Sequence, residues 1–174
     1  MGVSRFVAMF DEPIKAGRGA PLYTAEQRAR RDSSPWTLVQ GVLAPLQFLV
    51  FAVSVFLVVR YLMTGEGLAI ATASIVLKTF VLYAIMVTGA IWEKEVFGKY
   101  LFADAFFWED AFSMIVIALH TFYLVMLLGG IGSPVLQLTV ALAGYAVYVI
   151  NAAQFIWKLR LARLETAHTQ GAAA

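Results

Sequence analysis

Three carboxylates lie close to aromatic residues in the connector between the second and third apolar stretches of the chain. This connector, Ile91–Phe112, contains seven acidic or lysine residues and eight aromatic ones. Glu93, Glu109 and Asp110 each stand within two residues of a tryptophan. A carboxylic acid in apolar surroundings can remain protonated at neutral pH and donate a proton, whereas an ionised neighbour can accept one. The connector therefore predicts acid–base chemistry beside a surface that holds a large, flat, apolar molecule.

The position of each acid relative to the predicted helices separates Glu93 from the other two. Glu109 and Asp110 fall in the first turn of a predicted helix, where the helix dipole favours negative charge, so a solvated rim also explains them. Glu93 falls at the carboxyl end of the preceding predicted helix, where an acid is disfavoured. A purely structural role therefore explains Glu93 less well than it explains the other two acids. If the connector folds back, Glu93 and Glu109 face each other and share one proton.

The composition indicates a membrane protein. Of the 174 residues, 61% are hydrophobic and 14% are charged, and the mean hydropathy is +0.78. Soluble globular domains contain roughly 45–50% apolar and about 25% charged residues. The chain has no cysteine, which excludes disulfides, thiolate metal sites and cysteine nucleophiles.

Four apolar stretches are each long enough to cross a bilayer, which requires about 20 residues of helix. Short glycine-rich turns join the first stretch to the second and the third to the fourth, so these neighbours are expected to be antiparallel. The pattern predicts an all-α integral membrane protein, an up-down bundle of four transmembrane helices that forms one domain, residues 36–158. The predicted spans are Trp36–Leu62, Leu68–Trp92, Trp108–Leu128 and Val135–Trp157.

The segments outside the four spans are polar. Residues 1–35 are predicted to form a cytoplasmic arm with a short surface helix at residues 24–32, which begins with a capping box of Thr24 and Gln27. Residues 159–174 are predicted to form a cytoplasmic tail. The first twenty residues, predicted to be mobile, contain no apolar stretch of the signal-peptide type, so no cleavable signal peptide is expected.

Basic residues indicate the orientation of the predicted bundle. They concentrate before the first span, in the connector and after the fourth span, and an even number of spans places these three segments on one face. The positive-inside rule makes that face cytoplasmic, with both termini inside. The four tryptophans fall at span ends on the same face, as in an aromatic belt. The basic residues are Arg28, Arg30, Arg31, Lys94, Lys99, Lys158, Arg160 and Arg163.

Two ionisable residues lie in the middle of predicted spans, where each is a functional candidate because burial of charge in a bilayer is costly. Lys78 is about 15 Å of helix rise from the nearer end of the second span, so burial beside a partner or a ligand is expected. His120, in the third span, is a structural hydrogen-bonding residue, a metal or pigment ligand, or an acid–base group. It shares a helix face with Ser113 and Glu109, and lies about 16 Å of rise from Glu109.

Polar residues recur along one face of the first and fourth spans. Such residues often form hydrogen bonds between membrane helices. The alternative is a polar or ligand-filled interior, in which Asn151 of the fourth span is a candidate substrate contact. The two stripes consist of Gln40, Gln47 and Ser54 in the first span and of Tyr145, Tyr148, Asn151 and Gln154, continued by Lys158, in the fourth.

Two segments of the chain resemble one known family. They are YTAEQRARRDSSPWTLVQGVLAPLQFLVF (Tyr23–Phe51) and VTGAIWEKEVFGKYLFADAFFWEDAFSMIVIALHT (Val87–Thr121). They are similar to the 3-vinyl bacteriochlorophyllide hydratase family, small membrane enzymes of bacteriochlorophyll biosynthesis in phototrophic bacteria. The resemblance covers about residues 23–164. Asp104 stands where the family pattern has a proline, which makes Asp104 a poor catalytic candidate.

The resemblance implies that water is added to the 3-vinyl group of (bacterio)chlorophyllide a, which gives the 3-(1-hydroxyethyl) pigment. Protonation of the terminal vinyl carbon produces a cation next to the macrocycle, and water then attacks that cation. The enzyme must supply a proton donor, a positioned water and a proton acceptor. Glu93 or Glu109 is expected to be the donor, and Asp110 is expected to be an ionised partner. No redox cofactor or catalytic metal is expected.

Binding of a magnesium chlorin sets separate requirements. The macrocycle needs aromatic and aliphatic walls. Its magnesium needs an axial ligand, and its propionate needs a cation. His120 is the candidate ligand of the substrate magnesium, and no metal site of the protein itself is expected. The candidate cations are Lys94, Lys99, Arg28 to Arg31 or the deeper Lys78, and the candidate walls are Trp92, Phe106, Phe107, Trp108 and Phe112.

Two other classes of function remain open. A non-enzymatic chlorophyll carrier or assembly protein would use His120 and the same aromatic residues. A small transporter or proton-coupled protein would use Lys78, His120 and the acids as a relay. The expected partners are the Mg-chlorin, water, the lipid bilayer and neighbouring pathway enzymes, with no nucleic acid. The expected location is the bacterial inner membrane, cytoplasmic or intracytoplasmic.

Overall fold

The computed structural model describes the backbone of residues 22–171 and the side chains of residues 22–162. In this part of the chain all regular secondary structure is helical. The predicted mobile segment, residues 1–20, lies outside the described residues. The helices are α1 (Ala25–Ser33), α2 (Pro35–Thr64), α3 (Leu68–Phe97), α4 (Phe107–Leu128) and α5 (Pro134–Gly171).

Helices α2 to α5 correspond to the four predicted spans. Each is long and apolar enough to cross a membrane, α5 over Pro134–Ala162. Local interactions fix the helix ends. At the start of α2, for example, the Ser34 hydroxyl accepts a hydrogen bond from the N–H of Trp36, and Gly65 ends the helix with a φ of +74°. For the described residues, the prediction of an all-α protein with four apolar helices long enough to span a membrane is confirmed.

Helix α3 is longer than the span predicted for it. The predicted span ends at Trp92, whereas the helix continues to Phe97 and is capped by Gly98, which has a φ of +83°. Glycine ends helices in this way because it adopts the left-handed conformation without strain. Glu93 therefore lies inside α3, about one turn before its end, and the connector between α3 and α4 covers only residues 98–106.

The helices pack as two pairs. Helix α2 packs along α3, and α4 packs along α5. The pairs meet through smaller contacts of α3 with α4 and of α5 with α2 and α3. The interior between the pairs therefore brings together side chains from all four long helices.

Helix α1 packs against the connector end of α3. It begins with the capping box formed by Thr24 and Gln27. Just before it, the Tyr23 ring stacks on Phe97 with 5.7 Å between ring centroids. Burial raises the pKa of the Tyr23 phenol, and Arg31, whose guanidinium lies 4.8 Å from the ring centroid, opposes that effect. These contacts hold the segment before α2 against the end of α3 that carries the candidate acids.

The distribution of polarity is the reverse of that in a soluble protein. Large apolar side chains such as Phe56 and Leu128 are 66% and 85% exposed on the outside of the helices. Lys78 and His120, in contrast, are completely buried. Ionisable residues of membrane helices face the interior of the protein because lipid cannot solvate them. The ionisable groups that could bind a ligand or transfer a proton therefore lie between the helices.

Candidate active site

A pair of carboxyl groups, Glu93 of α3 and Asp110 of α4, is buried at the connector end of the helices. Glu93 is 5% exposed and Asp110 is 4% exposed, and the two carboxyls are hydrogen-bonded to each other. Two carboxyl groups can share a hydrogen bond only when one of them carries a proton, because an ionised carboxylate is an acceptor only. The pair thus combines a proton donor with a proton acceptor, which acid–base catalysis requires.

The backbone of the connector holds this pair in place. The N–H of Phe102 donates to Oδ2 of Asp110 at 2.7 Å, and the N–H of Ala103 donates to Oε2 of Glu93 at 3.3 Å. Phe102 has a φ of +58°, the only positive φ of a non-glycine residue in the described part of the chain. A bulky residue in this conformation is strained and persists only where surrounding contacts hold it. The bend at Phe102 directs two successive N–H groups at the two carboxyls.

Glu109, the third predicted acid, has a different partner. Its Oε2 lies 2.6 Å from Nζ of Lys158 on α5, and Lys158 also donates to the carbonyl of Ala105. Glu93 is therefore hydrogen-bonded to Asp110 rather than facing Glu109 as a pair. The reason is helical geometry, since consecutive residues of α4 point in directions about 100° apart. The sequence pattern does not predict this ion pair, although Lys158 continues the polar stripe of the fourth span.

A cluster of aromatic rings adjoins the acid pair. The ring of Phe106 lies 5.7 Å from those of Trp92 and Phe97 and 6.0 Å from that of Phe155, measured between centroids. Nζ of Lys158 lies 4.9 Å from the centroid of the Phe106 ring. These residues give the acid end of the interior an apolar wall. Phe155 and the inward position of Phe106 depend on how α5 and the connector pack, which the sequence pattern does not specify.

Two of the aromatic residues that were predicted to line the pigment site lie on the outer surface. Phe107 is 47% exposed and Trp108 is 67% exposed. Their direction follows from the phase of α4, because the interior face of its first turn is occupied by Glu109 and Asp110. The structure therefore brings Trp92 and Phe106 to the interior and leaves Phe107 and Trp108 facing outward.

The lysines near the connector make local contacts. Lys94 is exposed, and its Nζ donates to the carbonyl of Gly98 at 2.9 Å, which stabilises the carboxyl end of α3. Lys99 forms an exposed ion pair with Asp104, whose side chain is 95% exposed. The structure thus separates Asp104 from the buried acids.

A polar pair lies about one helical turn deeper than the acids. Nδ2 of Asn151 on α5 donates to Oγ of Ser113 on α4 at 2.8 Å, and both residues are 7% exposed. Oδ1 of Asn151 is buried and has no hydrogen-bond partner among the described residues. A buried acceptor of this kind is usually satisfied by an ordered water or a ligand.

Lys78 and His120 lie near each other in the middle of the interior. Nδ1 of His120 is 2.8 Å from the carbonyl oxygen of Val116, so Nδ1 is the donor and Nε2 of the neutral ring carries the free lone pair. Nε2 has no partner in the described structure. Nζ of Lys78 lies 3.9 Å from the centroid of the Tyr148 ring and likewise has no hydrogen-bond acceptor there.

These groups form three levels along one interior path. Ser113 and His120 follow Asp110 by three and ten residues, which correspond to about 5 Å and about 15 Å of helix rise. On α5, Tyr148 precedes Lys158 by ten residues, again about 15 Å. The described interior therefore presents a partnered acid pair, then a polar pair with one free acceptor, then an imidazole whose Nε2 and an ammonium whose Nζ make no hydrogen bond.

Comparisons with known proteins match most of the chain. A model of the 2-vinyl bacteriochlorophyllide hydratase (BCHF) family matches residues 23–161. A 2-vinyl bacteriochlorophyllide hydratase of Cereibacter sphaeroides is 71% identical over 144 residues, which cover 83% of this chain and 89% of the relative. A protein of the same description from Rhodobacter capsulatus is 67% identical over 159 residues, which cover 91% of this chain and 92% of the relative. No solved structure matches the chain.

Proposed function

Because this chain belongs to the 2-vinyl bacteriochlorophyllide hydratase family, we propose that it adds water to the vinyl group of a bacteriochlorophyllide and so produces a 1-hydroxyethyl group. The family resemblance found in the sequence is confirmed, and the names 2-vinyl and 3-vinyl differ only in wording. The enzyme is a hydratase of bacteriochlorophyll biosynthesis, and its reaction is that of a hydro-lyase.

The buried pair of Glu93 and Asp110 is the observation that supports the acid–base mechanism. We assign the proton of the pair to Glu93, because Asp110 accepts the shorter backbone hydrogen bond, 2.7 Å against 3.3 Å. Glu93 protonates the terminal vinyl carbon, and the π electrons form the new C–H bond. The positive charge on the inner vinyl carbon spreads into the macrocycle. The carboxylate of Asp110 stabilises this charge by its own negative charge.

Water then forms the new C–O bond at the inner carbon and gives up a proton to Asp110. The free Oδ1 of Asn151, one turn below the acids, is a suitable acceptor to hold that water. The proton on Asp110 returns to Glu93 through the hydrogen bond that the two carboxyls share, which restores the starting state. Glu109, bound to Lys158, supports the arrangement electrostatically and fixes α5 against the connector.

The polar levels of the interior support one orientation of the pigment. The vinyl group lies toward the acids. His120, whose backbone is about 15 Å of helix rise from that of Asp110, binds the magnesium of the substrate through Nε2. The side chains of Trp92 and Phe106 provide the wall beside the vinyl group. The pigment enters between the two helix pairs, where the packing contacts are smaller. Lys94, Phe107 and Trp108 lie outside this position and contact the membrane surface or lipid.

The arrangement in the membrane is also part of the proposal. The four spans form an up-down bundle within residues 36–158, and the basic segments place both termini and the acid pair on the cytoplasmic side of the bacterial inner membrane. The polar arm, residues 1–35, and the tail, residues 159–174, lie on that side. The pigment is exchanged with the lipid bilayer and with neighbouring enzymes of the pathway.

The test is hydration in oxygen-18 water. Membranes that contain the protein are incubated with 3-vinyl chlorophyllide a, and the product is examined by mass spectrometry. The expected product contains one added labelled water per pigment. Glu93→Gln is expected to abolish turnover while the pigment still binds, and Asp104→Asn, which changes an exposed carboxylate of the same region, is the matched control.

Two outcomes would contradict the proposal. If the pigment copurifies with the protein but gains no water, the protein is a chlorophyll carrier. In that case the unpartnered Nε2 of His120 remains the candidate ligand. If neither product nor binding is observed, the buried Lys78, His120 and acids are better explained as a proton relay.

A further inference from the structure

Lys78 is the buried cation that the proposed acid–base chemistry does not use. Its residue is 0% exposed in the middle of α3, and its Nζ has no hydrogen-bond acceptor among the described residues. The Tyr148 ring beneath Nζ offers a cation–π contact at 3.9 Å, but it is not a counter-ion. A buried ammonium without an anionic partner is unfavourable in a membrane interior. Its persistence points to a ligand that supplies the negative charge.

The depth of Lys78 relative to the acids limits what that ligand is. Nζ lies at the level of Tyr148, about 15 Å of helix rise below the ion pair of Lys158 with Glu109. It also lies near His120, whose Nε2 faces the same interior without a partner. A ligand that satisfies both groups has an anionic arm beside a Lewis-acidic centre. Its reacting end extends toward the acid pair.

We propose that Lys78 binds the propionate carboxylate of the macrocycle and thereby fixes which edge of the pigment faces the acids. The inference rests on the proposed function. The propionate and the vinyl group leave a chlorin from different pyrrole rings, so anchoring the carboxylate at Lys78 directs the vinyl group away from it, toward Asn151 and the acid pair. Lys78 is then a specificity-determining residue that distinguishes the free acid from an ester.

The lysines at the membrane surface are weaker candidates for the same role. Lys94 donates to the carbonyl of Gly98, and Lys99 is bound to Asp104. Both are exposed to solvent, where a single ion pair contributes little to binding. A carboxylate bound there would also lie beside Glu93 and Asp110, which places the propionate rather than the vinyl group at the acids.

The test compares two pigments and two proteins. The free acid of 3-vinyl chlorophyllide a and its methyl ester are offered to the wild type and to Lys78→Met, and both hydration and pigment binding are measured. Methionine has a similar length and no charge, so this change does not leave an unpaired charge in the interior. The ratio of free acid to ester is compared between the two proteins. The greater partition of the ester into lipid affects both proteins equally and therefore cancels.

The wild type is expected to favour the free acid by roughly tenfold to hundredfold in kcat/KM, the range of a charge-assisted contact. Lys78→Met is expected to lose that preference because its kcat/KM for the free acid falls, whereas its kcat/KM for the ester stays unchanged. The proposal is overturned if Lys78→Met keeps the preference, or if it affects acid and ester equally. Lys99→Met is the control, and Lys94→Met tests the surface alternative, since loss of the preference there would move the carboxylate to the surface.

This experiment separates failure of the inference from failure of the proposed function. If the wild type hydrates neither pigment, the hydratase assignment fails. If it hydrates both pigments and Glu93→Gln abolishes this, but Lys78→Met leaves the acid preference intact, only the role of Lys78 fails. Binding of the two pigments to purified protein gives the same comparison without turnover.

Discussion

The connector end and the middle of the interior differ in how their buried ionisable residues are satisfied. At the connector end the three buried acids all have partners, with Glu93 and Asp110 held by each other and by two backbone N–H groups, and Glu109 held by Lys158. In the middle, the ammonium of Lys78 and Nε2 of His120 are as deeply buried but have no hydrogen-bond partner in the described structure.

The difference indicates two kinds of work. Groups that must transfer a proton with accurate geometry are best held before the substrate arrives, because fixed dipoles need no reorganisation during the reaction. Groups that bind a ligand keep their hydrogen-bonding capacity free until the ligand supplies the partner. We therefore infer that the connector end is organised for catalysis and the middle of the interior for binding, and the predictions below test this division.

The largest effect is expected where the acid pair is broken. Glu93→Gln or Asp110→Asn alone is expected to lower kcat by about 100-fold to 10,000-fold, the usual contribution of a positioned acid or base. Because the two carboxyls act as one unit, the double variant should be scarcely slower than either single variant. Single-turnover rates with bound pigment measure this directly. Multiplicative losses would mean that the two acids act independently.

The fold could be predicted from the sequence to a large extent, because bilayer thickness and hydropathy together determine which segments span. The four apolar stretches of the sequence coincide with α2 to α5 to within a few residues at most ends. Two helices continue past their predicted spans: α5 continues beyond Trp157 to Gly171, and α3 continues beyond Trp92 to Phe97. The end of α3 follows from Gly98, a residue type that commonly ends helices in the left-handed conformation.

The candidate site could be predicted only in part. Residue type and location identified Glu93, Asp110, Lys78 and His120, since buried ionisable groups in apolar spans are rare. Their partners could not be predicted, because the hydrogen bond between Glu93 and Asp110 depends on the bend at Phe102 and on the phase of α4. Small changes in that phase decide whether a ring at the start of the helix faces inward or outward.

A second prediction addresses the middle of the interior through Gly144. A methyl group added there would meet the His120 ring at 3.0 Å, so Gly144→Ala is expected to displace the imidazole from Val116. Overpacking of this kind costs about 1–3 kcal/mol, and we expect pigment affinity to fall on the order of tenfold with little change in kcat at saturating pigment. Titration of pigment absorption measures the affinity.

Gly41→Ala is the matched control for that change, because a methyl group at Gly41 contacts nothing within 4 Å. It should leave affinity unchanged and stabilise α2 slightly, since alanine favours the helix by about 1 kcal/mol over glycine. A loss of kcat without loss of affinity in Gly144→Ala would contradict the division, because the middle of the interior would then take part in the chemical step.

The smallest effect is expected at Phe102, where the backbone rather than the ring is proposed to matter. Phe102→Val places a β-branched residue at a φ of +58°, where it is more strained than the phenylalanine that it replaces. We expect kcat to fall roughly fivefold to tenfold as the N–H groups of residues 102 and 103 move from the carboxyls. Phe102→Gly adopts the same φ without strain and should retain the wild-type kcat, although it removes the ring. Pre-steady-state rates with bound pigment distinguish the two variants. If both lose activity equally, the ring of Phe102 and its contact with Phe107 at 5.6 Å would carry the effect, and the bend would not be the device that positions the acid pair.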